Sequence, residues 1–397
     1  MSTFELELNT NSVYDILNKE RRKNMDFDFF MPVRVYSGKG AVMKNSDVFP
    51  SYGRVCGIVT GHSSAAKSGA LEDVRSALDK FGIKCIIYDK ITENPLIESC
   101  HEAGRIFREN SVDFIVGIGG GSPLDASKAI AIYAANGDLS PKDIYLRKYE
   151  NEPLPVLLIG TTAGTGSEVT GVSVLTSGET GRKKSISGTD CYAKAVFADS
   201  SYTCSMPYGV TVSTALDAFS HAVEGYFSAK YNDISELFAD KAMPMLWECL
   251  KKLDETKALP DEDMRERLYY GSLYAGMVLN KCGTLFPHPL GYVLTENFNI
   301  PHGKACAAFM RDLIDIGYAY EREKTERLMT LLNTTGAELC AVAERLTDLP
   351  NISMTQDQID EFCSRWDNSI PGNFANTPNG FSKDDAKRIF KRKFADK

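Results

Sequence analysis

RVCGIVTGHSSAAKSGALEDVRSALDKFGIKCIIYD, residues 54–89, decides the fold. RVCGIVT at 54–60 is an apolar run of strand length, AAKSGALEDVRSALDKFG at 65–82 carries helical spacing, and KCIIYD at 84–89 returns to strand. Working outward, ITENPLIESCHEAGRIFREN (91–110) predicts a helix, DFIVGIG (113–119) a strand, ASKAIAIYAA (126–135) a helix and LPVLLIG (154–160) a strand. Strand, helix and strand repeated with short connections predict a doubly wound parallel sheet, an α/β domain with helices on both faces. After Met206-Pro207 the grammar changes. The segments 210–229, 234–253, 263–280, 321–333 and 384–395 carry helical apolar spacing with hardly any strand signal between them. The expected division is an α/β domain over 1–206 and an all-α domain over 207–397. With no repeat, low-complexity tract or Gly/Ser linker, the two should pack tightly around a cleft.

Composition narrows the function classes. At 397 residues, 43% hydrophobic and 25% charged, the chain is long enough for two domains and a large core. Its net charge is -8, and the basic pieces ERRKN (20–24) and KRIFKRK (387–393) are short, so nucleic acid is a poor partner. No apolar run approaches the roughly eighteen residues of a membrane helix, and MSTFELELNTN lacks the blocks of a signal peptide. A cytoplasmic protein is expected. Its ten cysteines include no CxxC pair and read as reduced, mostly buried thiols.

Two loops fall at strand ends. GIGGGSPLDASKAIA (117–131) joins a predicted strand to a predicted helix, where backbone N–H groups and the helix N-terminus favour an anion. Gly119, Gly120, Gly121 and Ser122 are its candidate phosphate contacts. A glycine-rich turn in which Ser122 caps a helix would read the same way, and the loop matches neither the spaced dinucleotide fingerprint nor the nucleotide P-loop. GTTAGTGSEVT (160–170) follows LPVLLIG at the carboxyl end of a strand, where doubly wound sheets bind ligands. It suits ribose, pyrophosphate or a nicotinamide amide, or serves as a flexible connection.

Only five histidines occur, and two of them, His288 and His302, lie within HPLGYVLTENFNIPHG (288–303). On one continuous helix they would stand roughly 21 Å apart, so a shared ion requires a bend. Asn297 to Pro301 can supply it, because proline cannot donate the helical hydrogen bond and biases Ile300 away from the helical region. Asp217 and His221 are four apart on a predicted helix and share a face, a chelating geometry that surface pairs also adopt. Together the four would offer one carboxylate and three imidazoles. Two core histidines beside a turn and a surface pair are the plainer alternative.

The run DSSYTCSMPYGVTVSTALDAFSHAVE (199–224) resembles the signature of the iron-containing (group III) alcohol dehydrogenase family, including the proline ten residues before Asp217. GGGSPLDASK and TTAGTGSEVT look like its two cofactor loops, and the step from His288 to His302 ending in Pro-His-Gly fits its last two ligands. The resemblance runs from about residue 30 nearly to the end. It implies a dinucleotide-binding domain, a helical domain, and a divalent metal between them held by Asp217, His221, His288 and His302. It also implies that Gly119 to Ser122 hold pyrophosphate, that Asp125 belongs to the cofactor-binding set, that Thr161, Thr162 and Thr165 line the nicotinamide side, and that Lys184, or its neighbour Lys183, contacts ribose. The activity implied is reversible hydride transfer between a short-chain primary alcohol or diol and NAD(P), in a homodimer or larger homo-oligomer. One oxygen and three nitrogens, with no soft sulfur among them, suit Fe2+, the family default, as well as Zn2+ or Mn2+. Glu224, on the same face as Asp217 and His221, reads as a structural ion pair, with orientation of a ligand as the alternative.

Two departures mark this chain. Many members carry a proton-relaying histidine four residues after the third ligand, where this chain has Tyr292. After RVCGIVT, members preferring NAD often carry an aspartate, whereas here Gly61, His62, Ser63 and Ser64 follow, with Lys67 nearby. Small residues, hydroxyls and a lysine accept a 2′-phosphate, so NADP(H) is expected over NAD(H). The rival readings are a metal- and NAD-dependent lyase resembling dehydroquinate synthase, which would need basic residues the ligand segments lack, and a non-catalytic scaffold that binds metal or nucleotide.

Overall fold

Parallel neighbours in a sheet need a crossover connection, usually a helix, so strand–helix–strand alternation favours a parallel sheet. The protein follows that rule in a computed structural model that describes residues 27–395; the MSTFELELNTN start and the ERRKN piece lie outside them. Its strands are β1 (Arg34–Ser37), β2 (Val55–Gly61), β3 (Lys84–Ile91), β4 (Phe114–Gly119), β5 (Val156–Gly160), β6 (Val172–Thr176), β7 (Lys183–Ser187) and β8 (Ala195–Ala198). Six of them form one sheet of order β1-β8-β5-β4-β2-β3, parallel at every pairing, and β6 and β7 make a separate antiparallel ribbon. β4 and β5 are buried along their whole length, as central strands covered on both faces must be.

The covering helices are α1 (Ala70–Asp79), α2 (Ile97–Glu109) and α3 (Gly121–Ala135). Alternate strand residues sort between them. Ile58, Val116, Leu157 and Phe197 join Val74 and Leu78 of α1 in one core, while Val59, Ile115, Leu158 and Val196 join Phe107 of α2 and Ile130 of α3 in the other. The helix expected over 65–82 is broken: a short turn at Ser64–Lys67 precedes α1, and Gly69 between them has φ +85°. β1 and β8 are four residues each, too short for periodicity to reveal, and KKSIS of β7 has no apolar run.

The chain after Pro207 is helical: α4 (Tyr208–Phe227), α5 (Asp233–Thr256), α6 (Glu262–Cys282), α7 (Pro287–Phe298), α8 (His302–Ala307), α9 (Met310–Tyr320), α10 (Arg322–Leu332), α11 (Gly336–Thr347), α12 (Gln356–Ser364) and α13 (Lys383–Phe394). From Ala215 onward α4 is buried on every side, the mark of a central helix. No helix among the described residues is long and apolar enough to cross a membrane.

The two halves meet closely. Gly166 of the 160–170 loop lies against Gly276 of α6, where a Cβ on Gly166 would come within 2.4 Å of the Gly276 Cα. Asn280 of α6 accepts the Tyr192 hydroxyl (2.6 Å) and the Gly171 N–H (3.3 Å) and donates to the Phe30 carbonyl (2.9 Å). The loop after β5 is therefore a joint between domains as well as a strand end.

Candidate metal centre and cofactor cleft

The bend needed between His288 and His302 is present. α7 ends at Asn299 in the left-handed region (φ 54°), Pro301 precedes α8, and His302 opens it. The rings of His288 and His302 lie 5.5 Å apart, and His221 of α4 stacks on His288 at 4.8 Å. The Nε2 atoms of His221, His288 and His302 stand 3.8, 3.8 and 3.7 Å from one atom, Asp217 Oδ1. Donors about 2.0–2.2 Å from a common ion at tetrahedral angles would be about 3.3–3.6 Å apart, so the four converge on a space slightly wider than one such ion needs.

Asp217 Oδ1 and His288 Nε2 are buried without a hydrogen-bond partner among the described residues, which would be costly unless something else satisfies them. Burial pushes all three imidazoles down, His288 to about 4, so at neutral pH each offers a lone pair. An orphaned carboxylate oxygen facing three neutral imidazoles fits a divalent ion. His302, its side chain 26% exposed, stands on the open side.

Close helix approach fixes this geometry. A Cβ on Gly303 would lie 1.8 Å from the Ser213 carbonyl oxygen and 2.8 Å from Asp217 Cβ, so only glycine lets α8 bring His302 against α4. Glu224 is fully buried; its Oε2 accepts the Leu285 N–H and its Oε1 faces His288 Nδ1, each at 2.7 Å. Burial pushes its carboxyl up to about 8, and a cation beyond the ring would favour the ionised form. Glu224 thus holds the His288 ring in place through Nδ1, leaving Nε2 directed at Asp217.

A second difference concerns sulfur. The Cys306 Sγ lies 3.7 and 3.8 Å from the two ring nitrogens of His302, and donor atoms of Asp217, His288, His302 and Cys306 all fall within 4.8 Å of one another. The expectation of a pocket without sulfur is corrected: a cysteine one turn after His302 is brought to the same place. The signal was present as His302-x-x-x-Cys306, the spacing used for Asp217 and His221.

The 117–131 and 160–170 loops lie beside this pocket. Gly119 has φ +154°, and a Cβ there would strike the Pro123 ring at 2.6 Å. Gly120 packs on Thr162 and Gly121 on Thr165, and Gly164 packs on Thr214 of α4, so contacts run unbroken from the first loop through the second to the ligand helix. The Thr161 hydroxyl is buried without a partner among the described residues, and Thr165 Oγ1 accepts the Ser167 N–H. Ser122 Oγ accepts the Asn94 N–H (3.2 Å). Asp125 is directed elsewhere: it is buried, accepts the β6 N–H of Val174 (2.8 Å) and lies 3.7 Å from Lys128 Nζ. Gly61 ends β2, with Ser63 exposed and Ser64 half-buried in the turn after it.

Lys183 and Lys184 part company on β7. Lys183 Nζ lies 5.5 Å over the Tyr292 ring, whose other neighbour is His302, stacked at 5.4 Å; Lys184 Nζ lies over Tyr145. Of the two, Lys183 faces the metal pocket. Burial pushes the Tyr292 phenol up and the Lys183 ammonium down. His101 packs edge-on against Tyr133 inside the first domain.

A parallel α/β sheet whose glycine loops abut a helical carboxylate–imidazole pocket defines a metal-dependent oxidoreductase that uses a dinucleotide. Models of iron-containing alcohol dehydrogenases match residues 32–200 and, for the carboxyl-terminal part, 211–361. The chain belongs to the iron-containing alcohol dehydrogenase family and is an NAD(P)-dependent alcohol dehydrogenase. It is 28% identical to the NAD-dependent methanol dehydrogenase of Bacillus methanolicus over 80% of this chain and 84% of that one. It is 26% identical to the NADPH-dependent butanol dehydrogenase of Clostridium saccharobutylicum over 78% of each. An iron-containing alcohol dehydrogenase structure from Thermotoga maritima superimposes with TM-score 0.84 and 32% identity, covering 93% of this chain and 99% of that one. Membership sets aside the lyase reading.

Proposed function

We propose that the protein reversibly oxidises a short-chain primary alcohol or diol to the aldehyde, with Asp217, His221, His288 and His302 holding a divalent transition-metal ion, and NADP(H) as the preferred cofactor. The observation that carries this reading is the convergence of three imidazole Nε2 atoms on the unpartnered Asp217 Oδ1. A divalent ion bound there supplies Lewis acidity toward the substrate oxygen. The chain's own groups do the rest. Glu224 fixes the His288 ring so that Nε2 points inward. The Gly119 to Gly121 amides and Ser122 bind pyrophosphate, while Thr161, Thr162 and Thr165 line the nicotinamide side. Lys183, in place of Lys184, contacts the nicotinamide ribose; Asp125 acts behind the loop by tying α3 to β6. Tyr292, between Lys183 and His302, walls the pocket and carries at most a hydrogen bond.

The turn after β2 supports the cofactor preference, because Gly61, Ser63 and Ser64 place no carboxylate against a 2′-phosphate and Lys67 is exposed nearby. The ten free cysteines suit a reducing cytoplasm, and we take the enzyme to be at least a dimer, divided near Met206-Pro207. Anaerobic metal analysis with steady-state assays of several aldehydes tests the reading. NADPH should give the higher kcat/KM, and Gly61→Asp should reverse the order by about tenfold or more, the size of one lost charge-assisted contact. A Cβ at Gly61 meets the Ile91 carbonyl oxygen at 3.1 Å and the Pro123 ring at 3.9 Å, so a shift of a few tenths of an ångström accommodates it and the variant should fold. NADH preference in the unmodified enzyme would overturn the cofactor assignment, and turnover without a bound divalent ion would overturn the metal assignment.

A further inference from the structure

Cys306 is wholly buried one turn beyond His302, and its sulfur fills the space left by the missing side chain of Gly291, where a Cβ would come within 2.8 Å of Sγ. The polar neighbours recorded for that sulfur are the two ring nitrogens of His302, at 3.7 and 3.8 Å. Two independent features show that it faces a ligand space. Asp217 Oδ1 and His288 Nε2, both nine-tenths buried or more, point there without hydrogen-bond partners among the described residues. Their donor atoms and those of His302 and Cys306 lie within 4.8 Å of one another. On one four-coordinate ion a sulfur stands about 3.6 Å from a nitrogen or oxygen donor, so the group must close by about 1 Å for all four to share an ion, a movement that a rotation of the Cys306 side chain can supply.

Resting on the proposed metal pocket, we propose that Cys306 is an additional donor to it, giving this chain an Asp/His/Cys set that selects a thiophilic ion, Zn2+ or Co2+, over Fe2+. A thiolate ranks such ions more steeply than imidazole and carboxylate do, and the thiol proton is released to solvent as the sulfur–metal bond forms.

Cobalt separates this inference from the reading beneath it. Metal-free full-length protein, carrying Cys204→Ser to remove the exposed thiol, is titrated with cobalt(II) chloride. Visible d–d absorption reports binding by the carboxylate and imidazoles, and an intense near-ultraviolet charge-transfer band reports sulfur. Both are expected. Cys306→Ser should keep the visible bands, lose the near-ultraviolet band, and shift the Zn2+ over Fe2+ competition ratio about tenfold toward iron. Cobalt bound without the sulfur band would overturn the role of Cys306 while leaving the pocket standing. No cobalt bound at all would sink both. If the serine variant does not fold, a sulfur scatterer at bonding distance in the X-ray absorption of the zinc-loaded parent decides, its presence supporting the inference and its absence overturning it.

Discussion

In the helical domain, side chains from three helices deliver their donor atoms to one buried point, with Nε2 to Oδ1 separations agreeing to 0.1 Å. In the α/β domain the facing surface is made of backbone and small side chains: Gly119 to Gly121, Ser122 and the threonines of the 160–170 loop. The first region is held by close helix crossings, the second by loops packed against each other and against α4 and α6. A site of converging side chains fails when one atom is removed. A site of backbone donors is distributed and loses function by degrees.

The largest expected effect follows directly. His288→Ala or His302→Ala should abolish bound metal and turnover while leaving far-ultraviolet circular dichroism unchanged, because the sheet core and the glycine loops lie elsewhere. His101→Ala, edge-on to Tyr133, should leave metal content untouched. Full occupancy in either ligand variant would show that the convergence is accidental.

Next in size is Gly303→Ala. Its Cβ cannot occupy a position 1.8 Å from the Ser213 carbonyl oxygen, so α8 must withdraw from α4 and carry His302 with it. Losing the packing that orients a ligand costs about 10- to 100-fold in metal affinity. Metal affinity measured by competition with a chelator should fall by that order. Unchanged affinity would mean that the close crossing does not set the ligand geometry.

The same contrast explains what could be read beforehand. The strand–helix alternation gave the parallel sheet, and the spacings Asp217-x-x-x-His221 and His288 to Pro301-His302 brought out the side chains that converge. Contacts made by backbone or across domains leave no periodic trace. The β6–β7 ribbon, the Gly166–Gly276 crossing and the inward turn of Lys183 instead of Lys184 depend on chain segments far apart in sequence. Asp125 shows the limit from the other side: it stands in a cofactor-loop motif, yet its carboxylate ties α3 to Val174. Cys306 was legible by the His302-x-x-x-Cys306 spacing and was missed because the pocket already had four donors without it.

Glu168 sharpens the comparison at the domain joint, where loop and helices meet. Its carboxyl lies over Gly160 with the Tyr269 hydroxyl nearby, and burial raises its pKa to about 7. The folded protein therefore holds a proton on Glu168 that the unfolded chain releases above about 4.5. That contribution to stability is fully present below pH 4.5 and is lost as pH rises to about 7, by at most about 3 kcal/mol. Glu168→Gln cannot release the proton. Its melting temperature should match the parent near pH 4.5 and exceed it near pH 8, with metal affinity unchanged. Parallel melting curves across that window would place the ionised carboxylate in the fold instead.

The smallest effect is expected where the two regions touch, at Tyr292. Its ring is held between the His302 imidazole, stacked at 5.4 Å and 20°, and the Lys183 ammonium 5.5 Å from its centroid. Burial keeps the phenol protonated far above neutral pH, so it can donate a hydrogen bond but cannot act as a base in the working range. Tyr292→Phe preserves the stack and the cation–π contact and removes only the hydroxyl. Alcohol oxidation should then fall by a few-fold, well short of the 10²-fold at the low end of a general base's contribution. Its pH profile should rise toward alkaline pH in both proteins with no inflection near 6.5. Tyr292→His should introduce such an inflection, because an imidazole titrates there and exchanges its proton with solvent. A loss beyond 10²-fold in the phenylalanine variant, with metal still bound, would mean that the proton travels through Tyr292, and that at this boundary one side chain carries what the cofactor side otherwise spreads over many.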